Sequence, residues 1–251
     1  RGRGDQLMPF GNADIDQLLE GAARIEAFAP DPIDLADVTC FQMSAEMRNE
    51  SREALLPPAL HPTVPPSVIL QVWDVGTSPY GAFAMGIVRV SCRSGVRARG
   101  FTLRVICNNA DATAALRSTL GFPAIDGEVG FRSSYDGVKA TLAVDGKVVL
   151  DLSALDPDPL SVNDVQYTGT MNLAHTPRGP RLVQVEANHE PVRVERLVPK
   201  LHHFDGEGLG HPLLLPYREI ISTVATESVS FPPVRFLCST TETAFTGTEP
   251  V

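Results

Sequence analysis

The sequence predicts an α+β fold: a closed antiparallel β-barrel with a few peripheral helices. Three observations carry this. From Ser67 onward, short β-rich runs alternate with turn residues. Asp145-Gly146 sits between two such runs as a strong two-residue hairpin signal, and Asp136-Gly137 marks a second turn. Strands this short and numerous are best protected at their edges by closure, and 251 residues with 43% apolar side chains suit a single domain spanning residues 1–251.

Residues 1–32 read as a helical extension. Ile15, Leu18, Leu19, Ala22 and Ile25 recur at helical spacing from Asp14 to Phe28, with Asp14 and Gln17 placed as a capping box and Pro30 as the stop. A second helix is expected over Glu46–Leu56, followed by an extended, proline-rich passage from Pro57 to Pro66. Strands follow at Val68–Trp73, Gly86–Cys92 and Arg99–Cys107. One helix interrupts them, with Asp111 as N-cap, Ala112–Leu120 as body, and Gly121 and Pro123 beyond its end. Further strands are expected at Glu128–Tyr135, Val138–Val144, Lys147–Leu152, Val165–Leu173, Arg181–Asn188 and Arg193–Leu201. Residues 240–251 read as a loose, Thr-rich tail.

Composition excludes several functions. A net charge of -9 without a dense basic cluster argues against nucleic-acid binding. No apolar run is long enough to span a membrane, and Arg1–Gly11 lacks the apolar core of a signal peptide. Arg3-Gly4-Asp5 matches an adhesion tripeptide, which at a chain terminus reads as chance. The four cysteines form no C-x-x-C pair; buried free thiols, and with them a cytoplasmic setting, are the expectation.

The stretch Ile106-Cys107-Asn108-Asn109 to Phe122-Pro123, the run Leu215-Pro216-Tyr217-Arg218-Glu219-Ile220-Ile221-Ser222 and the helix ending in Leu55-Leu56-Pro57 together resemble the acetoacetate decarboxylase family, from about residue 40 to residue 236. In the family's decarboxylases, two lysines follow the aromatic-Pro pair; the first attacks the substrate ketone and the second holds its neighbour's pKa down. The resemblance puts Ala124 and Ile125 there, and neither side chain has an amine for a Schiff base. An ungapped reading also places Val68 and Ala82 where the family has pocket glutamates. The chain's three lysines, Lys139, Lys147 and Lys200, read as surface residues. The resemblance implies a homo-oligomer, needs no cofactor, and points to a small carboxylate or ketone ligand. The expected chemistry is non-covalent acid–base work of lyase, cyclase, hydratase or isomerase type. A non-catalytic binding protein and a decarboxylase with a displaced lysine are the alternatives.

The candidate binding residues are Gln71, Trp73, Arg104, Asn108, Asn109, Arg117, Phe122 and Arg132, with Glu128 as acid or base if its strand face is turned inward. A surface ion pair is the bland alternative for Glu128 and Arg132. His202, His203, Asp205, Glu207 and His211 cluster in sequence, but adjacent strand histidines point to opposite faces, so no metal site is assigned. His175 and His189 read as surface residues at strand ends.

Overall fold

The computed structural model describes residues 10–251; the Arg3-Gly4-Asp5 match lies outside them. The chain opens with α1 (Ile15–Glu20), β1 (Ala23–Arg24), β2 (Ile33–Glu46), α2 (Asn49–Leu55), β3 (His61–Pro62), β4 (Ser67–Thr77), β5 (Phe83–Ser94) and β6 (Arg97–Cys107). Then come α3 (Ala110–Leu120), β7 (Ala124–Asp126), β8 (Glu128–Ser134), β9 (Gly137–Val144), β10 (Lys147–Leu160), β11 (Thr170–Thr176) and β12 (Gly179–Val185). The last elements are β13 (Asn188–Phe204), β14 (Arg218–Phe231), β15 (Phe236–Cys238), α4 (Ala244–Gly247) and β16 (Thr248–Pro250). None of the described helices is long and apolar enough to cross a membrane.

All strands belong to one 16-stranded sheet whose hydrogen-bonded path runs from β16 to β8. The sheet curls but does not close, because its two end strands do not pair. It is also mixed rather than antiparallel throughout: β1 with β11, β6 with β11, and β6 with β7 are parallel. The expected closed antiparallel barrel is corrected on both counts.

The central strand β5 is buried at ten successive positions, Phe83–Cys92, so both of its faces are covered. Strand alternation sorts the neighbouring side chains between two cores. Leu70, Val72, Val88, Leu103 and Ile106 face one core, where Leu142, Leu150 and Leu152 of β9 and β10 pack back over the sheet. Trp73, Met85, Ile87, Val105 and Cys107 face the other, which is covered by Ala112, Leu116 and Leu120 of α3. Gly86 permits the first packing, since a Cβ there would collide with the Leu142 side chain.

Several local expectations hold and others shift. Asp145 and Gly146 both take positive φ (50° and 73°) between β9 and β10, as the hairpin signal requires. Gly121 closes α3 in the left-handed conformation. The N-cap of α3 is Asn109, whose side chain accepts from Ala112 N, not Asp111, which sits in the first turn. The first helix is only six residues long; Asp14 does cap it, but the chain then enters β1 and buries Ile25 in the second core. Residues 33–46 form a 14-residue strand where no strand was expected, and Glu46 belongs to it rather than to a helix. The tail is not loose, since β16 pairs with β15.

Candidate functional site

On the second core's side, the apolar strands give way to a polar cavity. Gln71 and Trp73 reach it from β4, Ile87 and Arg89 from β5, Phe122 from the end of α3, Tyr167 from the segment between β10 and β11, and His189 from the start of β13. The cavity volume is about 80 Å³, which confines any occupant to a small molecule. Behind it lies Glu227 of β14, with a side chain that has no solvent exposure. Its two oxygens are divided between two donors: Tyr167 OH reaches Oε2 at 2.6 Å, and His189 Nδ1 stands 3.1 Å from Oε1. The Tyr167 and His189 rings stack with centroids 3.6 Å apart and an interplanar angle of 2°. Trp73 meets His189 edge-on at 5.7 Å and stacks on Phe231 at 6.0 Å.

This arrangement fixes the histidine. A carboxylate only accepts hydrogen bonds, so the neutral imidazole carries its proton on Nδ1 and presents Nε2 as an acceptor. No hydrogen bond to Nε2 occurs among the described residues, whereas Nδ1 is engaged by Glu227. A buried carboxylate that sets tautomer and ring orientation is how a histidine is prepared as a general base.

The positive charge comes from Arg89, which is 3% exposed. Its Nη1 donates to Thr168 O at 2.9 Å and Thr170 Oγ1 at 2.8 Å, while Nε has no partner. Burial brings the guanidinium down to about 10, which leaves it charged at neutral pH. Trp73 Nε1 is a second buried donor without a partner. Unused buried donors are costly unless something accepts from them, and both of these belong to residues that line the cavity. Burial, then the Glu227 charge, holds the Cys40 thiol well above its ordinary range. The Tyr167 phenol is likewise held up by burial and by its bond to Glu227. Both remain protonated, so neither is a nucleophile here. Glu186, which also lines the cavity, is held by Arg99 in a two-pronged pair at 2.9 and 2.6 Å.

Comparison with known proteins places this architecture. Residues 21–200 match the acetoacetate decarboxylase family. The chain belongs to that family. No protein with a curated description matches it in sequence. Among solved structures, the acetoacetate decarboxylase of Legionella pneumophila is 14% identical, with a TM-score of 0.72 over 84% of this chain and 88% of that one. The enduracididine biosynthesis enzyme MppR complexed with pyruvate is 15% identical, with a TM-score of 0.62 over 82% and 89%. An acetoacetate decarboxylase-like enzyme from Sphingomonas wittichii is 13% identical, with a TM-score of 0.63 over 82% and 93%. At such identities the likeness concerns the fold.

Within this acetoacetate decarboxylase-family fold, the residues singled out from sequence separate into two groups. Gln71, Trp73 and Phe122 meet around the cavity. Ala124 is buried in the same core as Trp73, Ile87, Phe122 and Phe231, while Ile125 packs toward the opposite core. The remainder serve the backbone or the surface. Asn108 accepts from Ala84 N at 2.7 Å, and Asn109 caps α3 and donates to Tyr80 O. Arg117 donates to Ala124 O at 2.8 Å and Ala22 O at 3.2 Å, locking β7 and the chain after α1 to α3. Arg104 points away from the cavity, toward Leu209 O. Glu128 and Arg132 are exposed, because Val129 and Phe131 take the inward positions of β8. The inward face on which Glu128's role depended is therefore the outward one.

His189 corrects its surface assignment, and Glu227 and Tyr167 were missed. The three come from distant parts of the chain, and no local spacing joins them. His202, His203 and His211 have separate partners, namely Ser153 Oγ, Val148 O and Leu103 O, and share no common centre. Lys139, Lys147 and Lys200 are all exposed, and none lines the cavity.

Proposed function

We propose that the protein is an enzyme that enolises a small 2- or 3-oxo acid without forming a Schiff base. The observation that carries this reading is the His189 Nδ1–Glu227 Oε1 pair at 3.1 Å, behind a cavity whose lining residues Arg89 and Trp73 each keep an unpartnered buried donor. In the proposed step, His189 Nε2 removes a proton from the carbon beside the carbonyl. The C–H electron pair moves into the carbon skeleton and onto the carbonyl oxygen, and the enolate accepts from Arg89 and Trp73 Nε1. Glu227 stabilises the imidazolium that results. Returning the proton elsewhere, or adding the enolate to a carbonyl, gives the isomerase, aldol or cyclase outcomes that share this step. Preorganised donors of this kind commonly lower a barrier by several kcal/mol (about 3 for one donor) without covalent chemistry.

Three observations support the reading. The cavity admits only a small molecule. Ala124, where the resemblance puts the attacking lysine, is buried in the same core as Trp73 and Phe122 and brings no amine to it. A structurally similar protein, MppR, is described in complex with pyruvate, which makes pyruvate a reasonable first probe.

The test is solvent-deuterium exchange at the methyl group of pyruvate and the methylene group of acetoacetate, followed by proton NMR. The parent should accelerate exchange at one of them, and His189→Asn should lower the rate about 100-fold or more. Borohydride with either compound should leave the protein mass unchanged; a stable adduct on Lys139 or Lys200 would restore amine chemistry. Binding that quenches Trp73 with no exchange at any pH would instead make the protein a binder rather than an enzyme.

A further inference from the structure

A second, larger cavity of about 310 Å³ lies behind the first, where α1, the end of α2, β6 and residues 210–213 come together. Its walls are mixed: Leu18, Leu55, Phe101 and Leu103 supply apolar surface, and Gln17 and Thr102 are among the polar residues beside them. One cation reaches into this lining. Arg104 is half-buried and has no carboxylate partner among the described residues, whose ion pairs all lie elsewhere. Its one hydrogen bond runs from Nε to Leu209 O at 3.1 Å. Gly210, at φ +81°, brings bare backbone against Nη2; an added Cβ would stand 2.8 Å away. The Nε edge is thus tied down, and the Nη1–Nη2 edge keeps its donors. That is the edge whose spacing matches the two oxygens of a carboxylate.

The surroundings define the occupant further. His211, in the same lining, stands with Nε2 3.1 Å from Leu103 O. The carbonyl can only accept, so Nε2 carries the proton. Burial, opposed by this bond and helped by Arg104, holds the ring's pKa below its ordinary value, so it adds no second positive charge at neutral pH. The rim carries Asp14 and Glu20, which disfavour a second negative charge. Asp14 is itself occupied by Asp16 N and Gln17 N. Burial and the nearby Arg117 both disfavour the charged form of Arg104. An anion on the open guanidinium edge offsets both.

We infer that this cavity is a binding site for a small monocarboxylate with a compact apolar body, separate from the candidate catalytic cavity. The volume falls at the lower end of the range typical of ligand pockets, roughly 300–1,000 Å³. A single forked cation beside the apolar side chains of the wall selects one carboxylate on a compact apolar body, and Asp14 and Glu20 disfavour phosphates and dicarboxylates. Pro123 lines this cavity and its neighbour Phe122 lines the other, and the two linings share no residue. The inference does not rest on the proposed enolisation.

The chain's single tryptophan makes the two cavities distinguishable, because Trp73 lines only the first. Benzoate is the probe, titrated into the full chain with saturation-transfer NMR for binding and the Trp73 indole N–H as reporter. Benzoate should bind without moving the indole signal, and inorganic phosphate should not compete. Arg104→Met should weaken binding at least tenfold, and Arg104→Lys, which keeps the charge but loses the fork, by a smaller factor. Glu227→Gln should leave benzoate affinity unchanged. If Arg104→Met does not fold, backbone shift changes in the parent decide. Changes at Gly210, His211 and Leu213 support the site. A moved indole signal, equal competition by phosphate, unaltered affinity in Arg104→Met, or no binding by the parent overturns it.

Discussion

Two regions of this protein carry polar residues in the same fold and use them in opposite ways. From Asn108 to Ala124, nearly every polar side chain is spent on backbone: Asn108 on Ala84 N, Asn109 on the start of α3, and Arg117 on Ala22 and Ala124 carbonyls. Around Glu227, side chains instead bond to one another, and His189 Nε2, Arg89 Nε and Trp73 Nε1 are left over. The first region fixes where β6, α3 and β7 lie. The second has donors and an acceptor to offer a substrate. The family-like stretch thus serves as a frame, while the side chains proposed for chemistry lie on other segments.

The sharpest way to break this contrast is to remove Glu227. Glu227→Ala strands the Tyr167 hydroxyl and His189 Nδ1 in a buried site and should cost about 3 kcal/mol in urea unfolding. Glu227→Gln keeps the volume, so most of the loss should appear in proton exchange rather than stability. A glutamine variant that exchanges like the parent would show that His189 needs no orienting carboxylate. Arg117→Met tests the frame. Losing two charged donors to carbonyls should cost about 2 kcal/mol, with the Trp73 indole signal and exchange rate kept once the protein is folded. Equal loss of stability and exchange would mean that frame and site are not separable.

How much of this was legible in the sequence differs between the same two regions. The hairpin at Asp145-Gly146, the α3 stop at Gly121 and most strands from β4 to β13 follow from local rules, because turn chemistry and alternation act over a few residues. β2 went unread although Ile33, Leu35, Val38, Cys40 and Phe41 are all buried in it; Asp34 and Asp37 weaken its β pattern, and Asp37 takes φ 53° where the register shifts. Barrel closure was not legible either, since it depends on whether β8 and β16 meet. At the site, Phe122 belongs to the family-like stretch, and Gln71 and Trp73 lie on the strand expected at Val68–Trp73. Glu227, His189 and Tyr167 could not: β13 pairs with β14, and β14 with β2, across long stretches of sequence. That pairing brings His189 beside Glu227, and Tyr167 reaches them from the segment between β10 and β11.

The smallest expected effect concerns Glu128, the acid–base candidate had its strand face turned inward. β8 is the end of the sheet's path, and it turns Val129 and Phe131 inward to pack on the first core. Period-two alternation then leaves Glu128, Gly130 and Arg132 outward. Glu128 forms no ion pair among the described residues, and its strand partner is Ala143. Glu128→Gln should therefore change unfolding stability by less than about 0.5 kcal/mol, as is usual for an exposed position without special contacts. It should also leave exchange at pyruvate or acetoacetate unaltered, as measured beside His189→Asn in the same buffer. Were the glutamine variant instead to lose exchange while His189→Asn kept it, the proton carrier would lie on the outer face of β8. The Tyr167–His189–Glu227 cluster would then be a structural knot, like Asn109 and Arg117.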